Sequence, residues 1–233
     1  MAFAKSAVTA ETPKRIIFGA GVYAQNLPWD SVPTTEQVKT GLIGATNGGG
    51  KVVIKPNFVN LELDGVLVKV RGLTQKAGET ATMETNMAEV SLEYLARAII
   101  GKTSETEDGK FDIIDSKAKI EDADYYTGFG YIGQMLDGRA LIVIFKNAMA
   151  TEGLEIEAKN QEQVTIPTTV ECYSDTAEGD DLEKLPYRIY IEKDGAMVAA
   201  NINDVGEEVP ADSGEEETPN PEETSNPEEP GAE

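Results

Sequence analysis

The sequence contains no histidine, one cysteine and fewer than half as many basic as acidic residues. Its 233 residues hold 42 acids and 20 bases, for a formal charge of −22. Without histidine the chain lacks the commonest general base, the Ser-His-Asp and Cys-His nucleophile systems, and histidine-ligated zinc. A single cysteine, Cys172, forms neither an internal disulfide nor a cysteine-based metal cage. We therefore predict a protein that is not an enzyme, with no catalytic residue, no metal site and no cofactor.

The shortage of basic residues excludes two kinds of partner. General nucleic-acid binders gain affinity when lysine and arginine neutralise phosphates, and binding to an anionic membrane needs the same residues. No stretch approaches the roughly 18 apolar residues that span a bilayer, and the N-terminal residues do not read as a secretory signal. The sequence predicts a soluble protein.

The negative charge is concentrated at the C-terminal end. Residues 204–233 carry twelve acids, no base and five of the eleven prolines, whereas residues 1–203 carry 20 − 30 = −10. A segment of this composition buries too little apolar area to offset its ordering entropy. We predict a folded domain over residues 1–203 and a disordered acidic tail over 204–233, which is either a solubilising segment or a docking segment for a partner.

Alternation of apolar and polar residues dominates the predicted domain. It occurs at residues 59–64, 66–71, 81–87, 154–159, 164–172 and 187–191. Such half-buried strands are typical of antiparallel sheets with one wet face. Residues 140–145 are apolar without interruption, which predicts a strand covered on both faces. Pro167 cannot donate to a ladder, so its strand is expected to be at an edge or interrupted there.

One helix and two irregular segments complete the prediction. Ser91 is a suitable N-cap for a helix that ends at Gly101, with Leu92, Leu95, Ala96 and Ile99 on the face toward a sheet. Residues 26–50, which contain two prolines and three successive glycines, predict a long inter-strand arm. Residues 102–124 predict an acidic loop. The fold class is mainly β: an antiparallel β-sandwich or barrel-like domain with one packed α-helix and an arm.

Three motifs resemble ligand sites only superficially. Residues 19–24 fit GxGxxA, but no helix and no distant acid follow, so the glycines are expected to relieve close packing along a strand. Residues 48–51 read GGGK, but the spacing and the next residue do not fit a phosphate loop. Residues 104–115 match few calcium-ligand positions of an EF-hand. Cys172 alternates with core positions and is expected to be buried.

The order of several short motifs resembles the major tail proteins, or tail tube proteins, of long-tailed bacteriophages, particularly those of Gram-positive hosts. These motifs are IIFGAGV at 16–22, LIGATNGG at 42–49, LELDGV at 61–66, VKVRGL at 68–73, ATMETN at 81–86 and SLEYLA at 91–96, followed by closing strands over 139–192. The resemblance covers most of residues 14–192.

The resemblance implies a structural virion protein. In that family six copies form a ring, and stacked rings make a tube through which the genome leaves the capsid. It implies copies of itself, the tape measure, tail terminator and distal tail proteins as partners, passing DNA that is not specifically bound, and no membrane. The protein would be located in the virion tail after assembly in the bacterial cytoplasm. An acidic wall offers DNA no phosphate ligands, and the tail is expected to be removable after Lys193 with assembly intact.

Candidate residues follow from these expectations. Trp29, Leu42, Ile43 and Lys51, in or beside the predicted arm, are candidates for contacts between subunits or rings. Local packing of Trp29 onto the domain is an equal alternative. Glu62, Asp64, Glu155 and Glu157, on wet strand faces, are candidates for the lumen wall.

Two other functions stay open on the sequence alone. The first is a monomeric β-sandwich or barrel that binds a small ligand or a cell-surface glycan, which the tyrosines, including Tyr125, Tyr126 and Tyr131, permit. The second is a hydrolase with paired carboxylates, which no particular spacing favours.

Overall fold

A computed structural model describes residues 7–157, 160, 161, 163–176 and 182–193, and the predicted tail at 204–233 lies outside them. In this part of the chain the strands are β1 (Ile17–Ala24), β2 (Thr46–Asn60), β3 (Thr74–Met87), β4 (Gly101–Glu105), β5 (Asp112–Ser116), β6 (Tyr126–Met135), β7 (Ala140–Ala150), β8 (Ile166–Tyr173) and β9 (Tyr187–Ile191). The helices are α1 (Thr35–Thr40) and α2 (Leu92–Ala98), with 3-10 turns at Pro13–Arg15 and Asp122–Asp124.

Seven strands form one antiparallel sheet in the order β1-β6-β7-β8-β3-β2, with β9 also paired to β7. One edge of β7 pairs with β6. Its opposite edge pairs first with β9, through residues 141–145, and then with β8, through residues 147–150. The predicted fold class is confirmed: the protein is mainly β, antiparallel and consistent with a β-sandwich-like architecture.

Two apolar clusters lie on opposite faces of β7. Val143 and Phe145 belong to one cluster, whereas Ile142 and Ile144, which alternate with them, belong to the other. The prediction that residues 140–145 are covered on both faces is therefore confirmed. The first cluster also receives buried side chains from β1, β3, β6 and β8, so most of the large sheet curves around one interior.

The first part of the segment 26–50 covers the second face of β7, whereas its last five residues belong to β2. Leu27 and Val38 are 3% and 5% exposed and pack with Ile142 and Ile144. Val38 lies on α1, whose N-cap Thr34 forms a capping box with Gln37. The segment thus does not project as the predicted arm. The physical reason is that the apolar run of β7 needs a cover on its outer face, and this segment provides it.

The helix α2 begins where predicted, and the buried face includes Ala96 and the partly buried Leu95 as predicted, but it is otherwise made of different residues. Ser91 accepts a hydrogen bond from the Tyr94 amide at 3.2 Å, which confirms the cap. The helix ends at Ala98 rather than at Gly101, which begins β4. Leu92 and Ile99, predicted to be covered, are exposed, whereas Tyr94, Ala96 and Ala98 are buried. The Tyr94 hydroxyl hydrogen-bonds to Thr168 on β8, which turns this face toward the sheet.

The predicted alternation is confirmed in β3 and β8. Ala81, Met83 and Met87 are buried on β3, and burial alternates strictly along β8. Pro167 pairs with β3 on one side, while β7 pairs with β8 only from Val170 onward. Pro167 therefore lies at a locally open edge, as its missing amide requires.

The alternation at 187–191 also forms a strand, β9, but in two other places it does not. Residues 66–71 lie in the turn between β2 and β3, and residues 154–157 are irregular. The opposite error occurs in the predicted acidic loop at 102–124, which contains most of the two-stranded hairpin β4–β5 and the turn Asp122–Asp124. Alternation indicates a strand only where a partner strand is available, and a single sequence does not reveal the partner.

Candidate functional site

A long hairpin leaves the domain between β2 and β3. The two strands pair from Gly50–Thr85 outward to Asn60–Thr74, but β8 joins β3 only from Thr82 onward. Beyond that point the ribbon has no other strand beside it within the described residues. Every residue from 55 to 77 except Leu73 is exposed. We call residues 55–77 the projecting hairpin.

The projecting hairpin is unusually apolar for an exposed element. Its exposed large hydrophobic residues are Phe58, Val59, Leu61, Leu63, Val66, Leu67, Val68 and Val70. Leu67 at the tip is 97% exposed. Apolar residues clustered on one exposed element, unlike single scattered ones, indicate a surface that meets a partner.

The base of the hairpin is anchored to the domain. Val52 and Ile54 on β2 pack against the first apolar cluster. The Glu79 side chain, 5% exposed, accepts hydrogen bonds from Lys76 at 2.5 Å and from the Leu185 amide at 2.9 Å. The Lys76 hydrogen bond is the largest cause that lowers the pKa of the Glu79 carboxyl. These contacts hold the base of the ribbon in one position relative to β9.

Two strands at open sheet edges also expose apolar side chains. In the described part of the chain β9 pairs with β7 alone, and the first half of β1 pairs with β6 alone. Ile17 and Phe18 on β1 are 50% and 69% exposed, and Ile189 and Ile191 on β9 are 49% and 60% exposed. The alternation at 187–191 therefore does not bury the isoleucines of β9. Open edges of this kind invite pairing with another chain.

The outward face of β3 and β8 is polar. Thr82 lies opposite Glu171, and Glu84 lies opposite Thr169, so threonine and glutamate alternate in both directions. Glu84 forms an ion pair with Lys51 on β2 at 2.7 Å. We call Thr82, Glu84, Thr169 and Glu171 the threonine–glutamate face. Sequence reasoning missed these acids, although the predicted alternation already placed Glu84 on the wet side of its strand.

The predicted contact residues lie on the domain itself. Trp29 is partly buried, and the Arg188 guanidinium lies over its ring at 4.3 Å from the ring centroid. Leu42 forms a bridge to Ala24 and is 36% exposed, and Ile43 packs between two apolar clusters. Lys51, as noted, pairs with Glu84. Trp29 thus packs locally onto the domain, which is the alternative interpretation given by the sequence.

The four predicted lumen acids do not share a strand face. Glu62 and Asp64 are at the tip of the projecting hairpin, and Glu155 and Glu157 lie in the irregular segment after β7. The expectation that they occupy wet faces of strands is therefore wrong. Both pairs alternate with apolar residues, but none of the four acids lies in a strand of the described structure.

The remaining motifs have structural explanations. Gly19 and Gly21 lie at a bulge in β1 with φ of +90° and +70°, and a β-carbon on Gly21 would meet the Tyr131 ring. Burial raises the pKa of the Cys172 thiol to about 12, and the residue is 4% exposed, as predicted for a core position. Gly21 and Cys172 both lie in close packing contacts.

A scan of the chain against protein-family models found no match, and neither did a search of the curated proteins. Among the described residues, no helix has the length and apolar character needed to cross a membrane.

Proposed function

We propose that this protein is a structural subunit of a bacteriophage tail tube, and that it assembles into stacked hexameric rings that conduct the genome. The observation that carries the proposal is the projecting hairpin, whose apolar residues remain exposed in the single chain. The apolar side chains of such an element are removed from water when a second copy of the chain covers them. The sequence resemblance supplies the kind of assembly.

The open edges support self-assembly through a second route. Ring closure joins the sheet of one subunit to that of the next, which satisfies the free hydrogen-bonding groups of edge strands. The exposed isoleucines of β9 and the exposed Ile17 and Phe18 of β1 fit burial against neighbouring subunits. The projecting hairpin and the open edges would then act together. The hairpin would make contacts between subunits, and the edges would join neighbouring sheets within a ring.

The threonine–glutamate face is the best candidate for the channel wall. It replaces the four acids expected from the sequence, because it is a continuous, paired sheet surface. Its hydroxyl and carboxylate groups offer no positive charge to phosphates. The neighbouring Lys51 is positively charged, but its ammonium group forms an ion pair with Glu84. DNA would pass such a wall without adhering. The tape measure, tail terminator and distal tail proteins complete the proposed set of partners.

The decisive experiment is electron microscopy of the purified full chain, alone and with a tail initiator complex. We expect hollow tubes of stacked rings. Leu67→Asp should abolish tubes, since it places a charge on the apolar tip, whereas Leu182→Asp, at a residue 71% exposed outside the hairpin, should leave them intact.

One control measurement and two contrary outcomes complete this experiment. Circular dichroism should give the same unfolding temperature for both variants and the parent, because both sites are exposed. Wild-type protein that stays monomeric even in whole phage lysates would overturn the proposal, and tubes formed equally well by Leu67→Asp would remove the hairpin from it.

A further inference from the structure

A cleft of about 480 Å³ lies beside β6, β7 and β8, away from the projecting hairpin. Its size falls in the range of about 300–1,000 Å³ that is usual for small-molecule sites. Its lining includes Tyr125, one of the tyrosines that permit ligand binding on the sequence, and no residue of the projecting hairpin. Its position and its chemistry both bear on what it binds.

The floor of the cleft is a row of three side chains. Thr127 on β6 pairs with Asn147 on β7, which in turn pairs with Tyr173 on β8. Directly opposed residues on antiparallel strands place their side chains on the same face, with β-carbons about 5 Å apart. The sheet therefore presents a hydroxyl, an amide and an aromatic ring side by side on a rigid surface.

Two aromatic rings meet at the cleft. Tyr125 immediately precedes β6 and approaches Tyr173 edge to face, with ring centroids 5.9 Å apart and an interplanar angle of 78°. The Tyr173 hydroxyl donates to Glu171 at 3.3 Å, which fixes its ring. An edge-to-face contact occupies one face of one ring only, so aromatic surface remains for an apolar ligand face.

The polar groups of the cleft suit a ligand rich in hydroxyl groups. Asn147 offers both donors and an acceptor, and Thr127 and Ser174 offer hydroxyls that donate or accept. The Ser174 hydroxyl oxygen is buried and has no hydrogen-bond partner within the described chain, which marks a polar group that a ligand or water would satisfy. Asp122 adds a carboxylate acceptor.

The charge of the cleft excludes anionic ligands. No lysine or arginine lines it in the described part of the chain, whereas Asp122 and Asp175 each contribute a carboxylate. A phosphate or a uronic acid would meet repulsion there and no compensating cation. Aromatic rings beside neutral donors and acceptors instead match a sugar ring, which has one apolar face and a rim of hydroxyl groups.

We propose that this cleft binds a neutral saccharide, with one sugar ring stacked on Tyr125 or Tyr173 and its hydroxyls bonded to Thr127 and Asn147. The proposal does not depend on self-assembly, because the cleft is formed within one chain.

Saturation-transfer difference NMR on the full chain tests it with glucose, galactose, rhamnose, N-acetylglucosamine and N-acetylgalactosamine as probes. Glucuronic acid serves as the anionic control and glucosamine as the cationic control. We expect saturation transfer to at least one neutral sugar, strongest at the protons of its apolar face, and none to glucuronic acid. Transfer to none of the neutral sugars, or only to a charged control, overturns the proposal.

Variants locate the site. Tyr125→Ala should weaken binding of the best probe about tenfold, because it removes the stacking surface, and Tyr125→Phe should retain it. Thr127→Val should weaken binding by about threefold to tenfold through the loss of one hydrogen bond. Phe111→Ala, at an exposed aromatic residue on the turn between β4 and β5, is the matched control and should bind as the parent does.

Unfolding temperatures of all four variants distinguish loss of the site from loss of the fold. Unchanged affinity in both Tyr125→Ala and Thr127→Val places the sugar elsewhere and overturns the assignment. Should Tyr125→Ala unfold, the comparison of Thr127→Val with the parent decides alone.

Discussion

Residues 26–50 and the projecting hairpin at 55–77 are neighbours in sequence with opposite structural roles. The first segment has the prolines and glycines of an arm, yet Leu27 and Val38 are buried under β7. The second has the alternation of half-buried strands, yet Leu67 is almost fully exposed. Irregular composition therefore does not indicate projection, and alternation does not indicate burial.

What separates the two segments is the availability of a complementary surface. The outer face of β7 carries Ile142 and Ile144, whose apolar side chains would be exposed to solvent without a cover. The segment 26–50 is close enough in the fold to cover them. The hairpin extends beyond the last residue of β3 that pairs with β8, so no surface of its own chain lies beneath it in the described structure. Its apolar residues are left for another molecule.

The largest expected difference between the segments is in stability. Leu27→Ala should lower the free energy of unfolding by about 2–5 kcal/mol, because it leaves a cavity beneath β7. The same substitution at Leu67 should change it by less than about 0.5 kcal/mol, since that side chain is exposed. Urea unfolding of the monomer measures both. Equal losses for the two variants would contradict the contrast.

A second pair of substitutions compares glycines of the two segments. A β-carbon on Gly50 would overlap the hydroxyl of the buried Tyr23, so Gly50→Ala should cost about 1–3 kcal/mol through overpacking. Gly65 in the hairpin has φ of +83° and open space around it, so Gly65→Ala should cost about 1–2 kcal/mol, from backbone strain alone. Thermal unfolding followed by circular dichroism measures both variants. A larger loss of stability in Gly65→Ala than in Gly50→Ala would contradict this interpretation.

Much of the fold could be predicted because local patterns met their partners. The uninterrupted run at 140–145 required two covered faces, Pro167 required an open edge, and Ser91 required a helix start, and all three are observed. The helix α1 was missed because it has only six residues and a single buried side chain, Val38, which is too short for helical periodicity to be visible.

The candidate site was harder to predict, because exposure depends on tertiary contacts. Glu62 and Asp64 alternate with leucines, much as Glu84 stands between the buried Met83 and Thr85, yet only Glu84 lies within the paired sheet. The signal that was present was glycine: Gly65 and Gly72, both with positive φ, flank residues 66–71, of which four are the exposed apolar residues Val66, Leu67, Val68 and Val70. Glycines of this kind at both ends of a short apolar run favour a turn over a strand.

The anchor at the hairpin base predicts a dependence of stability on pH. Hydrogen bonding to Lys76 holds the pKa of Glu79 below its ordinary value of about 4.5. The carboxylate therefore stabilises the folded chain above that pH, and the stabilisation is lost as pH falls through the lowered pKa. Glu79→Gln should lose part of this acid dependence between about pH 5 and pH 3.

The matched control for Glu79 is Glu62→Gln, at an exposed residue in the turn at the hairpin tip. It should leave the slope of stability against pH unchanged. Parallel pH profiles for Glu79→Gln and the parent, measured by urea unfolding, would show that the Glu79 contacts do not stabilise the base of the hairpin.

The smallest expected effect concerns the packing of Trp29 onto β9. The Arg188 guanidinium lies over the indole ring and donates to the Trp29 carbonyl oxygen at 2.6 Å. Arg188→Ala should lower stability by about 0.5–1 kcal/mol, as expected for a partly exposed cation–π contact. Because Trp29 is the only tryptophan, tryptophan fluorescence reports on the surroundings of this one ring, and emission should shift to longer wavelength as the ring gains solvent. Arg188→Lys keeps the charge but not the planar group, and should give an intermediate shift.

An unchanged spectrum in both variants would mean that Trp29 is held by the second apolar cluster alone. The segment at 26–50 would then owe its position to Leu27 and Val38 rather than to β9.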